Sequence, residues 1–415
     1  MFSHLFSGKL KCNFCIFSTA NNLIMVKLIS LLTPLYVTLF WGLIFLFKKK
    51  SSDKTNQVLA AFMFAACALY VSHTFYFLNL YQLYSFVESI YLLALMSIYP
   101  LFYRYILSLS SENVKPLHYF YHFLPGIILA TTSLVIAFFL GHDGRTEYVK
   151  EVLIQKNLKQ LNFNAIAGVK GGILLLTRII FICQSIIYAL LGIRLANRHN
   201  REVIEYYSNT EGRKMNWVRH LSVLYLLISF VGILMAIIGR SIFAQKEILL
   251  IIPSVIFSTI YFIIGFNGNR QLAVSHDFSQ MQDINVEFDE IDFETGKNLK
   301  NKLVKLFEKD KIYRHSDLRI TFISEALKTN RTYISRLINE EFGMNFNEFV
   351  NQYRVREAEA LLSSTDHNSY KLEYIAEKVG FGSGDSFTRA FKEHKGITPG
   401  QFRSQINRQT QLNES

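Results

Sequence analysis

Up to about Phe266 the chain is a succession of long apolar runs, and no other feature constrains its fold as much. Roughly 18–20 apolar residues suffice for a helix to cross the hydrocarbon core of a bilayer. Seven runs qualify: about Leu23–Phe47, Val58–Leu80, Phe86–Leu107, Leu117–Leu140, Gly172–Leu195, Val218–Phe243 and Ile248–Phe266. Helices buried in a large soluble core are the alternative, but they carry a polar stripe, and these runs are apolar all round. An all-α fold is expected, with a polytopic transmembrane bundle of about seven helices over residues 23–267. Beyond it the chain turns polar and charge-dense, so the overall 50% hydrophobic and 18% charged residues describe neither part.

Loop charge sets the expected orientation. The first connection, KKKSSDKT, is basic, and the fifth holds Arg194, Arg198, Arg201, Arg213, Lys214 and Arg219. The second, around Asn79–Ser85, has no Lys or Arg. Basic loops stay on the cytoplasmic side, so the C-terminus is expected in the cytoplasm of a bacterial inner membrane and the N-terminus outside. The loop His142–Gly171 dilutes the bias with five basic residues, but it is long and carries three acids.

Residues 1–22 are set aside as a leader, because the stretch after Lys9 and Lys11 is too short and interrupted for a signal peptide. Met25 is an alternative start. Cys12 and Cys15 form a lone C-x-x-C with no second pair, and Cys67 and Cys183 read as small apolar residues within spans. No disulfide framework, metal site or cofactor is expected.

Four ionisable groups, His73, Glu88, Arg178 and Arg240, fall within or at the ends of spans, toward the outer half of the bundle. Charges at that depth usually face a cavity or a partner, so a sensor pocket in which Glu88 and Arg178 meet each other or a ligand is one reading. Snorkelling to the headgroups is the favoured one. His118 and His122, beside Tyr119 and Tyr121, read as an interfacial aromatic belt rather than as a metal pair.

The stretch Gln271–Gly296 has no Lys or Arg, while Asp277, Asp283, Glu287, Asp289, Glu290, Asp292 and Glu294 accumulate. It reads as a solvated acidic linker, residues 268–296, that also has the charge to mask a basic domain. From Lys297 to Ser415 there are 20 Lys plus Arg and 15 Asp plus Glu, a net of +5.

This last region contains an internal repeat. Ile320–Phe346 and Leu372–Pro399 superpose at an offset of 53 residues, bringing Ile334 onto Phe387, Ser335 onto Thr388, Arg336 onto Arg389 and Gly343 onto Gly396. Each copy is a short helix, a tight turn and a second helix. The second helices are two-faced. Ile334, Leu337 and Ile338 oppose the polar stripe Thr332, Ser335, Arg336 and Asn339; Phe387, Ala390 and Phe391 oppose Asp385, Thr388, Arg389 and Lys392. A helix-turn-helix lays such a stripe into the major groove, where Arg forms a two-pronged bond to guanine and hydroxyls reach base edges or phosphates.

The residues NRTYISRLINEEFGMNF, VREAEALL, IAEKVGF and FTRAFKEHKGITPGQFR resemble the DNA-binding domain of the AraC/XylS family over about residues 297–405. The resemblance implies helix-turn-helix units at about 318–343 and 371–396, joined by a rigid helix at about 346–362, with a tail at 406–415. It implies base reading by Thr332, Ser335, Arg336, Gly384, Asp385, Thr388 and Arg389, and double-stranded DNA as partner. Arg331 and Lys392 are placed for phosphates. Two departures stand out. Lys328 occupies a turn where glycine is common, and Asp385 stands at the front of the second reading helix, either capping it or accepting a bond from cytosine N4. The second glycine cluster, Gly380, Gly382 and Gly384, follows a helix and lacks a Lys-Ser/Thr ending, which excludes a phosphate-binding loop; Ser383 is the candidate N-cap.

The expected function is a membrane-embedded transcriptional regulator, not an enzyme, in contact with membrane lipid, an unidentified small-molecule or membrane signal and, as a homodimer, with itself. The rival classes are a transporter or membrane enzyme with a fused module, and a receptor whose C-terminal repeat docks a protein. Broken helices and midplane charges, which a transporter predicts, are sparse.

Overall fold

A computed structural model describes residues 3–48, 53–110, 120–150, 165–224, 226, 229, 247–271, 293–364 and 370–414. The chain is all-helical. Among the described residues there is no strand, only an isolated antiparallel bridge between Tyr207 and Arg319. It divides into two compact units: Met1–Ala196 with Asn216–Met281, and Asn197–Met215 with Gln282–Ser415.

The first unit is built from α1 (Ser3–Phe47), α2 (Asp53–Phe77), α3 (Tyr81–Leu109), α4 (Leu124–Tyr148), the start of α5 (Ala165–Tyr206) and α6 (Ile251–Arg270). Among the described residues of the chain, six helices are long and apolar enough to cross a membrane: Ile24–Phe47, Lys54–Phe77, Tyr81–Leu109, Tyr121–Tyr148, Leu175–Tyr206 and Ile248–Arg270. These correspond to six of the seven expected runs. Most of the remaining one, Val218–Phe243, lies outside the described residues, as do Arg240, His118 and most of the acidic linker. Helix α1 packs on α2 and α6, α2 on α3, and α3 on α4. The inner faces are closed by Leu59, Phe62, Met63 and Ala66, while Phe138 and Phe139 of α4 are 81% and 71% exposed. Side chains of that size facing outward are costly in water and neutral in lipid.

Sequence periodicity ends the fifth apolar run near Leu195 and treats Arg194–Arg219 as a connection. The helix instead continues to Tyr206. No Gly or Pro interrupts it there, and Arg198 pairs with Glu202 at 3.0 Å across one turn, the spacing that supports a solvated helix. From Asn197 onward this helix and the turn after it belong to the second unit.

The second unit otherwise comprises α7 (Phe293–Glu308), α8 (Ile320–Ala326), α9 (Arg331–Phe342), α10 (Phe346–Ser363), α11 (Leu372–Lys378), α12 (Gly384–Lys395) and α13 (Pro399–Glu414). Helix α10 is shared between two small cores. Phe349 and Val350 close the first with Phe307, Ile323, Ile334 and Ile338, and the rings of Phe307, Phe342 and Tyr353 crowd around Phe349 at 4.8–5.3 Å. Val355, Ala358 and Leu362 close the second with Ile375, Val379, Phe387 and Phe391. Aromatic pairs at such spacing add to simple area burial.

Candidate nucleic-acid interface

Helices α8 and α9 form the first helix-turn-helix, and α11 and α12 the second. Each turn is made the same way. The C-cap of α8 is Leu327, Lys328 follows in the left-handed region (φ 51°), and the Thr329 amide donates to Ser324 O at 2.8 Å. The C-cap of α11 is Val379, Gly380 follows at φ 96°, and the Phe381 amide donates to Ala376 O at 2.8 Å. The short helices therefore superpose at an offset of 52, whereas the second helices superpose at 53. The second turn holds one additional residue, Gly382. Lys328 adopts a conformation that disfavours side chains. At Gly380 a side chain is blocked outright, since a Cβ would lie 2.5 Å from Tyr313 O.

Both second helices are capped by side chains. Asn330 Oδ1 accepts from the Thr332 amide at 2.6 Å and starts α9. Ser383 starts α12 with a capping box, its Oγ accepting from the Ser386 amide at 3.1 Å while Ser386 Oγ faces the Ser383 amide. Asp385 is therefore not the cap; it sits exposed in the first turn, where a carboxylate complements the helix dipole. Gly343 (φ 67°) and Gly396 (φ 78°) end the two helices.

The apolar faces are fully used: Ile334, Leu337, Ile338, Phe387, Ala390 and Phe391 are all buried. Opposite them Thr332, Arg336, Asp385, Thr388, Arg389 and Lys392 are exposed, while Arg331, Ser335 and Gly384 are partly covered. Arg336 Nε donates to Glu340 Oε1 at 2.7 Å, and Thr388 Oγ1 donates back to Gly384 O at 2.8 Å. Ser335 Oγ donates to Glu205 Oε2 at 3.0 Å, a partner outside the repeat.

Arg354, on the inner face of α10, is fully buried. Its Nε donates to Tyr313 O at 2.7 Å, and its Nη2 to His315 O at 2.8 Å and Ser208 Oγ at 3.0 Å. Burial lowers its pKa to about 9, which still leaves it charged at neutral pH. Nearby, Glu357 accepts from Lys311 Nζ at 2.9 Å and Arg314 Nε at 3.0 Å. Burial pushes the carboxyl up, but the bonds from Arg314 and Lys311 prevail and hold it at about 2. Sequence reasoning passed over both residues. A charge at position 354, amid Phe349, Val350, Val355 and Ala358, was the available signal, because a cation on an apolar stripe needs buried acceptors.

In the first unit the ionisable residues have different surroundings. Glu88 is buried and its ion partner is Lys170, at 2.5 Å, rather than Arg178. The Lys170 ammonium also lies 4.4 Å from the centre of the Tyr148 ring. Arg178 is exposed. His73 packs among the rings of Tyr70, Phe77 and Tyr91. His122 Nδ1 lies 2.6 Å from the Tyr188 hydroxyl. Among the described residues no group of three or more His, Cys, Asp or Glu is placed to hold a metal ion.

Two capped helices, each with a buried apolar face and a polar stripe carrying a hydroxyl–Arg pair, define the class of tandem helix-turn-helix proteins. The family comparison agrees: residues 323–405 match the family described as helix-turn-helix domain, and this segment is of AraC type. Similar proteins include three uncharacterized HTH-type transcriptional regulators of Bacillus subtilis (strain 168). YtdP is 32% identical over 26% of this chain and 13% of its own length. YisR is 35% identical over 21% and 30%, and YfiF 36% over 24% and 30%. The chain thus spans less than a third of each of these relatives. Among solved structures, the C-terminal domain of the two-component response regulator yesN from Fusobacterium nucleatum subsp. nucleatum ATCC 25586 is 29% identical, covering 26% of this chain and 98% of that one, with a TM-score of 0.22. The matched family is a helix-turn-helix one, an architecture whose second helix lies in the major groove of double-stranded DNA.

Proposed function

We propose that the chain is a multi-pass bacterial inner-membrane transcription factor that couples a membrane or periplasmic signal to promoter binding by a cytoplasmic reader. The observation that carries this reading is the presence in one chain, among its described residues, of six helices long and apolar enough to span a bilayer together with an AraC-type tandem helix-turn-helix. Thr332, Ser335, Arg336, Gly384, Asp385, Thr388 and Arg389 read bases from two successive major grooves. Arg331 and Lys392 bind phosphates and set the salt dependence. The buried pair of Glu88 with Lys170, beside the Tyr148 ring, forms the polar centre of the sensor. Its signal acts by binding two states of the bundle unequally, with dimerisation of the reader as output.

Genome-wide mapping of DNA occupied by the tagged full-length chain tests the proposal. Discrete promoter peaks that vanish in an Arg336→Ala/Arg389→Ala variant, with membrane insertion unchanged, are the expected result. Peaks that persist in that variant would favour a protein-docking role for the repeat.

A further inference from the structure

The second unit contains a segment that does not belong to the repeat. Asn197–Met215, the end of α5 and the turn after it, is folded into the same compact unit as the helix-turn-helix pair. Tyr206 and Tyr207 are buried, each 2% exposed. The Ser208 amide donates to Leu318 O at 3.0 Å, Asn347 Nδ2 donates to Ser208 O at 2.7 Å, and Arg354 Nη2 donates to Ser208 Oγ. Arg213 pairs with Asp317 at 2.9 Å and lies 4.3 Å from the Tyr207 ring centre, with Arg319 at 5.7 Å from the same ring. This density of bonds is that of a built contact, not of a loop lying loosely on a surface.

What the segment touches is more telling than how it is held. Glu205 Oε2 accepts from the hydroxyl of Ser335, in the centre of the first polar stripe. Glu211 Oε2 accepts from the hydroxyl of Ser383, the N-cap of the second reading helix, at 2.5 Å. Lys214 is half-buried, and its pKa is lowered by burial and then by Arg389, in the second stripe. Asn209 fills the space beside Gly382, where a Cβ would come within 2.1 Å of its Nδ2. The one residue by which the two turns differ is therefore a glycine pressed against this segment.

We infer that Asn197–Met215 is an autoinhibitory strap whose Glu205 and Glu211 carboxylates stand where DNA anions would stand. A helix N-terminus attracts anions through its free amides and dipole. A carboxylate placed there satisfies that site and repels an approaching phosphate. A hydroxyl already donating to Glu205 cannot donate to a base edge. Thr332, Arg336, Thr388 and Arg389 stay exposed, so the strap lowers affinity by competition rather than by sealing the surface. The strap is continuous in sequence with the apolar run before it and with residues 216–224 after it, so a signal acting on those segments has a covalent route to it.

The inference rests on the DNA reading above, and its test separates the two. Full-length chain in nanodiscs of phosphatidylethanolamine and phosphatidylglycerol is used to enrich sheared host chromosomal DNA. The affinity of the most enriched fragment is then measured for wild type, Glu205→Ala/Glu211→Ala and Arg336→Ala/Arg389→Ala. The glutamate variant is expected to bind about tenfold tighter, within the usual range of coupling between sites, and the arginine variant to lose binding. Unchanged or weaker binding by the glutamate variant, with loss in the arginine variant, overturns the strap and leaves the reader standing. Wild-type binding by the arginine variant overturns the reader and the strap with it. Hydrogen exchange supplies a readout free of mutation: amides of residues 207–213 are expected to exchange faster once the fragment is bound. Unchanged or slower exchange there overturns competition.

Discussion

The two helix-turn-helix units carry the same plan with different local solutions. Both end their short helix in a left-handed residue, cap the reading helix with a side chain and stop it at glycine. The first unit places Lys328 at the left-handed position and turns in the minimum length. The second uses Gly380 and adds Gly382. The difference is one of surroundings: open space tolerates a lysine with positive φ, whereas the carbonyls of Tyr313 and Arg314 press on Gly380 and leave no room for Cβ. An internal repeat preserves the hydrogen-bond scheme and lets the residue types follow the neighbours.

The largest test of this contrast is Gly380→Ala. Combining a left-handed penalty with overlap against backbone, it is expected to cost about 3 kcal/mol. Hydrogen exchange at the amides of Ile375 and Phe387 in the full chain measures it, since local opening energies are resolved segment by segment. An effect below that at Thr329 of the first unit is the internal reference.

Next in size are the arginines proposed to read bases. Loss of a two-pronged guanine contact is worth about 1–3 kcal/mol. Arg389→Ala is expected to reduce affinity for an enriched fragment more than Arg336→Ala, because Arg336 must first give up its 2.7 Å bond to Glu340. Equal losses would show that this pair is not broken on binding.

Acid should separate the units further. Glu357 ties the Lys311–Arg314 turn ahead of the first unit to α10, and its folded pKa of about 2 lies below the ordinary 4.5. A depressed carboxylate stabilises above its unfolded pKa, and that contribution is lost as pH falls from about 4.5 toward 2. The pair is partly solvated, so about 1 kcal/mol is expected. Exchange protection of the first unit should fall first over this window, and Glu357→Gln should flatten the dependence. On the other side of α10, Lys395 and Glu359 pair with about a third of each side chain exposed, so the second unit has less to lose. The smallest effect is Lys328→Gly, expected to stabilise the first unit by about 0.5–1 kcal/mol by relieving positive φ.

The apolar runs, the repeat, the buried faces of α9 and α12 and the Ser383 cap were legible because each is written in local periodicity or in one residue's capping chemistry. The inserted Gly382 was not: superposing the second helices at 53 residues hides a register of 52 in the first. The reach of α5 to Tyr206 was hidden by reading the basic residues from Arg194 as a loop signal, when Arg198 and Glu202 also support a helix. Nor did EYYSNTEG, Glu205–Gly212, carry a marker of its contacts. Its partners Ser335, Asn347 and Arg354 are more than a hundred residues away, and such pairing follows from tertiary packing alone. The Glu88 partnership with Lys170 was missed for a related reason, since charge inventories name candidates for a pair without naming the pair.

The burial of Arg354 has a consequence for the strap proposed above. Its Nη2 hydrogens are divided between His315 O, within the module, and Ser208 Oγ, on the strap. Detachment of the strap leaves a donor of a buried cation in search of water, at roughly 1–3 kcal/mol. Each 1.4 kcal/mol is a factor of about ten in the detached fraction. That cost comes on top of the strap's other bonds, so it lowers the detached fraction further rather than fixing it alone. In the proposed strap Arg354 adds this cost to those of the Asn347, Leu318 and Asp317 contacts, so a single guanidinium in the connecting helix shifts the detached fraction about tenfold.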